Sequence, residues 1–445
     1  MWSRRAFVRN AAGLPLVAAA AAGASAGGTA TAGGSAPVDG TATAGGSAPA
    51  GGSAPVDGTA TGLQTLTGGA KPIAAAERRA RVAQLRTLMA RRNVAAVLVE
   101  SGSTLEYFTG IRWPRSERIT AALIPAHGEI LIVTPAFEEP SVRESLQVGG
   151  DLVAWNEHES PFARIVAGLR SRGAAQGTVA VESTTRFFIV DGLRRLSNAY
   201  EFVSADPLIG PCRLVKSPAE LALMQLANDV TLAALRSVHA RVARGMRPED
   251  IADLMNGATV ALGGEPQFAL VLINEASAYP HGSRQPQTVR DGSVILMDCG
   301  CSVAGYQSDI SRTWVIGEAN GRQRKVWNTV KRGQEIALET ARIGVQAGRI
   351  DDAVRAYYAS EGWGPGYRLP GLPHRTGHGI GLDGHEPAYL VHGDATPLQP
   401  GMCFSDEPGL YIPGEFGIRL EDCWHMTASG PQPFTPLAKS LEEPV

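Results

Sequence analysis

The sequence predicts a small α/β domain followed by an α+β domain built as an internal pseudo-twofold repeat. Three observations lead there. From about residue 71, strand-like and helix-like segments alternate, the pattern of an α/β layer. At Ser217-Pro218-Ala219-Glu220 a new helix start interrupts that alternation, with serine as cap, proline in the first turn and glutamate closing a capping box. Beyond it, Val242-Ala-Arg-Gly245-Met-Arg-Pro-Glu-Asp-Ile-Ala is echoed by Val345-Gln-Ala-Gly348-Arg-Ile-Asp-Asp-Ala-Val-Arg. In both copies a helix is expected to end at glycine and another to begin shortly after, each pair leading into strands.

Ahead of the folded part, Ser3-Arg4-Arg5-Ala6-Phe7-Val8, the alanine-rich stretch 11–22 and Ala24-Ser25-Ala26 form a twin-arginine signal pattern over residues 1–26. The stretch is shorter than the ~20 residues a membrane span needs, so no stable membrane anchor is expected. The expectation is a protein carried by the twin-arginine export machinery and exported, to the periplasm. Residues 27–69 repeat Gly-Gly-Ser-Ala-Pro units with few apolar side chains to offset chain entropy, and read as a flexible linker.

Residues 70–213 are expected to form the small domain. Val82, Leu85 and Leu88-Met89 recur at helical spacing over 78–92. Segments 94–99, 121–124, 130–133 and 178–181 read as buried strands, and 161–170 as a helix. Residues 214–445 form the second domain. The whole chain has 445 residues, 44% of them hydrophobic, and a formal net charge of -2, which is enough for a substantial core and gives no electrostatic reason to expect nucleic acid. All five cysteines lie beyond residue 211. Cys299 and Cys301, one residue apart, read as buried and reduced rather than disulfide-bonded.

The chemistry concentrates late. Asp298 ends the apolar run 294–297, and Asp309 follows after a turn expected near 303–305, so a hairpin would set the two aspartates opposite each other on one face. Glu407 and Glu421 repeat the construction around Pro413-Gly414. By strand alternation Arg419 points with Glu421, and Tyr411 with Glu407. Four carboxylates converging without counter-charge would repel or take up protons, whereas two divalent cations balance them. Adding His378 gives an oxygen-dominated set with one imidazole, suited to manganese, cobalt, zinc or iron.

Together the motifs Asp298-Cys-Gly300, Ser308-Asp-Ile-Ser-Arg-Thr313, Gly377-His-Gly-Ile-Gly-Leu382, His385-Glu-Pro387, Glu407-Pro-Gly-Leu-Tyr411 and Gly417-Ile-Arg-Leu-Glu421 resemble the metallopeptidase family of prolidase, aminopeptidase P, creatinase and methionine aminopeptidase. Leu105-Glu-Tyr-Phe-Thr-Gly110 resembles the smaller amino-terminal domain of its prolidase branch. The resemblance implies a pita-bread catalytic domain behind a creatinase-like domain. It implies two metals, most simply manganese: Asp298 and Asp309 hold one, His378 and Glu407 the other, and Asp309 and Glu421 bridge. It further implies His281 and His385 as substrate contacts, Glu407 as proton shuttle, and Arg419 and Tyr411 as supports of the site. Ser405-Asp406 before Glu407 departs from the usual pattern. Arg375 either orients a substrate carboxylate or caps a loop, and His374 reads as structural. The implied reaction is cleavage of Xaa-Pro bonds, by a dipeptidase or an aminopeptidase, through a metal-bridging hydroxide, in a homo-oligomer (dimer or tetramer). The alternative is a metal-dependent amidase of the same fold acting on a non-prolyl small molecule.

Overall fold

The computed structural model describes residues 62–445. The expected signal segment 1–26, and the expected linker up to residue 61, lie outside the described residues. The Leu66 N–H donates to Leu262 O at 2.9 Å and the Thr67 hydroxyl to Gly263 O at 3.0 Å. Contacts of the folded body therefore begin ahead of the boundary expected at residue 70.

The first part is a six-stranded mixed sheet flanked by helices. In chain order come α1 (Ala75–Arg91), β1 (Val94–Glu100), α2 (Ser103–Thr109), β2 (Ala121–Pro125), β3 (Ile130–Pro135), α3 (Glu139–Ser145), β4 (Gly150–Trp155), α4 (Pro161–Ser171), β5 (Gly177–Val181), α5 (Phe187–Leu196), β6 (Tyr200–Ser204) and α6 (Asp206–Arg213). The strand order is β4-β3-β2-β1-β5-β6. The four expected strands are β1, β2, β3 and β5, where near-continuous burial makes the apolar runs. The two edge strands β4 and β6 are half-exposed and carry no such run, which is why the sequence does not announce them. Helix α1 buries Val82, Leu85 and Met89 at three- and four-residue spacing.

The second part opens with α7 (Pro218–His239), whose capping box forms as expected: Ser217 Oγ accepts from the Glu220 N–H at 3.3 Å and Glu220 Oε2 accepts from the Ser217 N–H at 2.8 Å. Then follow α8 (Pro248–Ala261), β7 (Glu265–Ile273), β8 (Val294–Val303), β9 (Tyr306–Gln307) and β10 (Ile310–Val315). The pattern of two helices and an antiparallel sheet then repeats. Its helices are α9 (Gly321–Thr340) and α10 (Gly348–Ser360), and its strands are β11 (Gly377–Gly379), β12 (Glu386–Leu390), β13 (Cys403–Asp406), β14 (Gly409–Ile412), β15 (Phe416–Arg419), β16 (Asp422–Thr427) and β17 (Gly430–Pro433). No described helix is long and apolar enough to cross a membrane.

The repeat is present, but its register is not the one the short sequence echo suggests. Gly245 donates its N–H to Val289 O, and Val289 returns a bond to Met246 O, both at 2.9 Å. The same reciprocal pair joins Gly344 and Val345 to Leu398, again at 2.9 Å. Gly245 (φ 88) and Gly344 (φ 82) hold the left-handed turn in the two halves. Gly348, which the echo aligns with Gly245, is instead the first residue of α10. With this correction Ile251 and Ile350 occupy corresponding, fully buried places on α8 and α10.

Candidate metal centre

Each half contributes one hairpin. In the first, Ala304 (φ 49) and Gly305 (φ 88) are two consecutive positive-φ residues between the pair Val303↔Tyr306, the conformation a two-residue turn of matching twist requires. That turn sets the register: Ser311, not Asp309, lies opposite Asp298. Continued two residues, the same register puts Asp309 across from Gly300, so the aspartates share a face diagonally rather than directly. A Cβ on Gly300 would lie 2.2 Å from Ser308 O, so only glycine permits this close crossing. In the second hairpin one register runs through β13–β16 and β14–β15, placing Glu407 across from Glu421 with the turn at Pro413-Gly414. The halves meet at a β-bridge in which Ser311 and Glu421 exchange backbone bonds at 3.2 and 3.0 Å.

The five expected ligands converge. Three overlapping groups each keep their ligand atoms within 4.8 Å of one another: Asp298, Asp309 and Glu421; His378, Glu407 and Glu421; and Asp309, His378 and His385. Asp309, His378 and Glu421 each belong to two groups, and of these the two carboxylates, with two oxygens apiece, have the placement a bridging ligand needs. His378 Nε2 lies 3.6 Å from Asp309 Oδ2 and 3.5 Å from Glu407 Oε1. Its Nδ1 is 3.1 Å from the carbonyl of Gly379, which can only accept, so Nδ1 carries the proton and Nε2 presents its lone pair to the carboxylates. His385, expected as a substrate contact, also has its ring 3.8 Å from that of His378.

Electrostatics give the same answer. Burial, then the neighbouring carboxylates, push Asp309 and Glu421 well above the ordinary carboxylate range. Burial raises Glu407 to about 7, with Arg419 opposing and Asp298 adding to the rise. Burial depresses His378 to about 3, with His385 adding to the effect, so its imidazole is neutral and available as a ligand. Asp406, the unusual neighbour of Glu407, is buried with both oxygens lacking a partner among the described residues. Burial and Asp422 hold its carboxyl well above the usual range.

Arg419 braces this assembly. Its Nη2 donates to Asp298, Nη1 to the Tyr411 hydroxyl at 3.1 Å and Nε to Ser311 Oγ at 2.9 Å. Ser311 Oγ in turn lies 2.9 Å from Asp298 Oδ1 and 2.7 Å from Glu421 Oε2, so its one proton serves both halves of the site. Ser311 was not singled out from the sequence; the available signal was its position two residues after Asp309, on the same strand face. His374, expected to be structural, also belongs here. Its Nδ1 donates to Arg375 O at 2.8 Å, and its Nε2 therefore accepts from the Tyr411 hydroxyl at 2.9 Å. Arg419→Lys or Ser311→Ala is expected to lower kcat about ten- to a hundredfold while two ions still bind, checked by steady-state kinetics with metal analysis.

Two rim residues complete the site. His281 is exposed in the loop following the short 3₁₀ turn 274–278, and lines a cleft of about 730 Å³ with Leu270, Arg284 and Gln285. Arg419 Nη1 reaches the adjacent Pro280 carbonyl at 3.4 Å, tying that loop to the centre. Arg375 caps no loop: its guanidinium lies 4.3 Å over the Tyr389 ring and has no hydrogen-bond acceptor or anionic partner among the described residues. Its charge helps depress His378 and His385, so it stands beside the centre.

Comparison with known proteins agrees with this geometry. The Creatinase/Prolidase N-terminal domain matches residues 81–215 and Metallopeptidase family M24 matches 222–428. The probable dipeptidase PepE of Mycobacterium tuberculosis is 33% identical over 76% of this chain and 88% of its own length. The Xaa-Pro dipeptidase of Lactobacillus helveticus is 31% identical over 76% and 92%. The crystal structure of prolidase from Thermococcus sibiricus superposes with a TM-score of 0.75 at 25% identity, covering 81% of this chain and 97% of that one. These relatives overturn the expectation of an exported, periplasmic protein. The likeness is to dipeptidases and prolidases, it rests on the two folded domains, and it lends an export address at residues 1–26 no support. The chain belongs to the metallopeptidase family M24, with a pita-bread catalytic domain behind a creatinase-type amino-terminal domain.

Proposed function

We propose that this metallopeptidase is an Xaa-Pro dipeptidase that binds two divalent ions. Asp298, Asp309 and Glu421 would hold one ion, His378, Glu407 and Glu421 the other, with Asp309 and Glu421 bridging. The carrying observation is that five donors from two hairpins and a third strand overlap in shared groups within 4.8 Å. The donor set fits such a pair: four carboxylates match the charge of two divalent ions, and the single imidazole offers Nε2. Manganese suits this oxygen-rich set best, with cobalt, zinc and iron next. When bound, the ions would activate a water and polarise the scissile carbonyl.

The protein's own groups do the rest. Glu407, at the inner wall, takes up a proton and delivers it to the departing prolyl nitrogen. His281 and His385 donate hydrogen bonds toward the carbonyl oxygen as negative charge develops there. Tyr411, Arg419 and Ser311 fix the carboxylates so that no reorganisation is needed during the reaction. A prolyl amide has no N–H to recognise, so the substrate is read at its ends. Arg375, steadied on Tyr389 and without an anionic partner among the described residues, is suited to a free proline carboxylate, which favours the dipeptidase reading, as do the names of the relatives. The same proposal assigns residues 70–213 to the amino-terminal domain and 214–445 to the catalytic one, in a homo-oligomer.

The test is hydrolysis of Ala-Pro, Ala-Pro-amide and Ala-Pro-Ala by manganese-loaded protein, with products read by mass. Ala-Pro should be the preferred substrate. Arg375→Met should raise its KM roughly ten- to a hundredfold, the worth of hydrogen bonds to a charged group, and leave the amide's KM unchanged. Preference for Ala-Pro-Ala would make the protein an aminopeptidase. Inertness to all three with two ions bound would favour the non-prolyl amidase.

A further inference from the structure

A second ionic cluster lies outside the metal centre, where the amino-terminal domain meets the loop that carries His385. Glu386, next to His385, is buried, yet its carboxylate is held by two cations from the segment joining the domains. Arg213 Nη2 donates to its Oε1, and Lys216 Nζ to its Oε2 at 3.0 Å. Arg213 Nη2 also reaches Asp383 Oδ2 at 2.9 Å, while Nη1 reaches the hydroxyls of Ser103 and Thr104 on α2, each at 2.9 Å. Ser103 Oγ donates to the same Asp383 oxygen at 2.6 Å, and the Asp383 N–H donates to Glu386 Oε1 at 3.1 Å. Arg213 thus spends its guanidinium on four side chains from two domains.

The same loop is gripped from its other side. The Gln307 N–H donates to Gly381 O at 2.9 Å and its amide to Leu382 O at 3.0 Å. Tyr306, one residue before, donates its hydroxyl to Glu220 Oε1 at 2.8 Å, and Arg81 of α1 reaches Glu220 at 3.3 Å. The loop 381–386 is therefore held on one side by the Arg213–Lys216 cluster and on the other by Gln307, whose neighbour Tyr306 is itself tied to Glu220 and Arg81. His385 itself makes no side-chain hydrogen bond among the described residues, so its place is set by the backbone that Glu386 anchors.

We propose that Arg213 and Lys216 are positioning residues for His385: by clamping Glu386 they set the imidazole over the metal centre and make the amino-terminal domain part of the catalytic apparatus. The proposal rests on the role given to His385 above. Removing one member of a buried cluster leaves the others unpaired, so a loss of activity alone would not separate positioning from stability. A double-mutant comparison does.

Glu386→Gln, measured on manganese-loaded protein with Ala-Pro, should lower kcat at least tenfold with KM within threefold. In a His385→Ala background the same change should cost less than twofold more. Arg213→Lys, which keeps the charge but cannot span all four partners, is read in the same two backgrounds and decides the matter if Glu386→Gln does not fold. Equal fractional losses in both backgrounds, or an unchanged kcat in the folded variants, would overturn the clamp. A His385→Ala protein with full activity would instead remove the role assigned to His385, and the clamp with it.

Discussion

Glu421→Gln is expected to lower kcat/KM for Ala-Pro roughly 10³-fold or more and to reduce bound metal from two ions toward one. No other carboxylate in the site carries as many constraints. Glu421 belongs to both the Asp298 group and the His378 group, accepts from Ser311 Oγ at 2.7 Å, and is buried to 2% exposure. Its backbone carbonyl accepts from the fully buried Arg312 at 2.8 Å, and Arg312 also holds the neighbouring Asp422 at 2.6 Å. Glutamine preserves the volume and one acceptor oxygen, so the fold should survive while the bridge loses its charge. Steady-state kinetics with metal analysis of the same sample provides the check. Activity within tenfold of the parent, with two ions still bound, would remove Glu421 from the bridging role.

The second large effect is on stability. Stripping the ions with a chelator should lower Tm, since a ligand at a hundred times its Kd contributes about 2.7 kcal/mol to the folded state. The loss should depend on pH. Glu407 rises to about 7, and Asp309 and Glu421 are pushed well above their ordinary values, so from about pH 4.5 upward the metal-free folded state holds protons that the unfolded chain has released. Its stability therefore falls as pH rises. Other groups act in the opposite direction. His374 and His378, depressed to about 3 mainly by burial, contribute stability above their ordinary value of 6.5 that is lost as pH falls toward 3. Glu386, held near 2 because Arg213 and Lys216 outweigh burial, adds a further loss below 4.5. Above pH 6.5 the histidine contribution is complete, and for the chelated protein only the loss from the raised carboxylates remains. There its Tm should fall more steeply than that of the loaded protein, in which cations neutralise the crowded carboxylates. Parallel melting curves for the two forms from pH 5 to 9 would contradict this account.

Much of the site was legible because its determinants are local. An apolar run ending in aspartate, a turn, and a second aspartate define a hairpin within about a dozen residues, and strand alternation then predicts that Arg419 accompanies Glu421. The capping box at Ser217 is equally local, and it forms as read. What failed depended on register or on distant partners. Asp309 sits diagonal to Asp298 because the two-residue turn at Ala304-Gly305 decides the pairing, and a window of 303–305 does not resolve a shift of two. The repeat was detected but misaligned, because Gly344 and Gly348 are both glycines and only the bonds to Val289 and Leu398 distinguish their roles. The sequence does not show which side chains His374 and Glu386 meet, because Tyr411 is 37 residues from the one and Arg213 is 173 from the other. No periodicity reports such meetings. The address read at Ser3–Val8 rested on a pattern of residue types alone, in a segment outside the described residues, and the relatives do not sustain it.

The bridge between Ser311 and Glu421 carries a consequence for how this active centre can change. Opposed residues of an antiparallel pair sit about 4.5–5.5 Å apart, a spacing dictated by peptide geometry and not by side-chain choice. Because the two hairpins are stitched together at Glu421 itself, the separation between the ligands of one half and those of the other is gauged by the backbone. Sliding one half along the other would have to break main-chain bonds at 3.0 and 3.2 Å before it altered that separation. The inter-ligand spacing is thus insulated from drift in the surrounding sequence. Variation in what the enzyme accepts is left to the parts not tied to that gauge: the exposed turn bearing His281 and the guanidinium of Arg375.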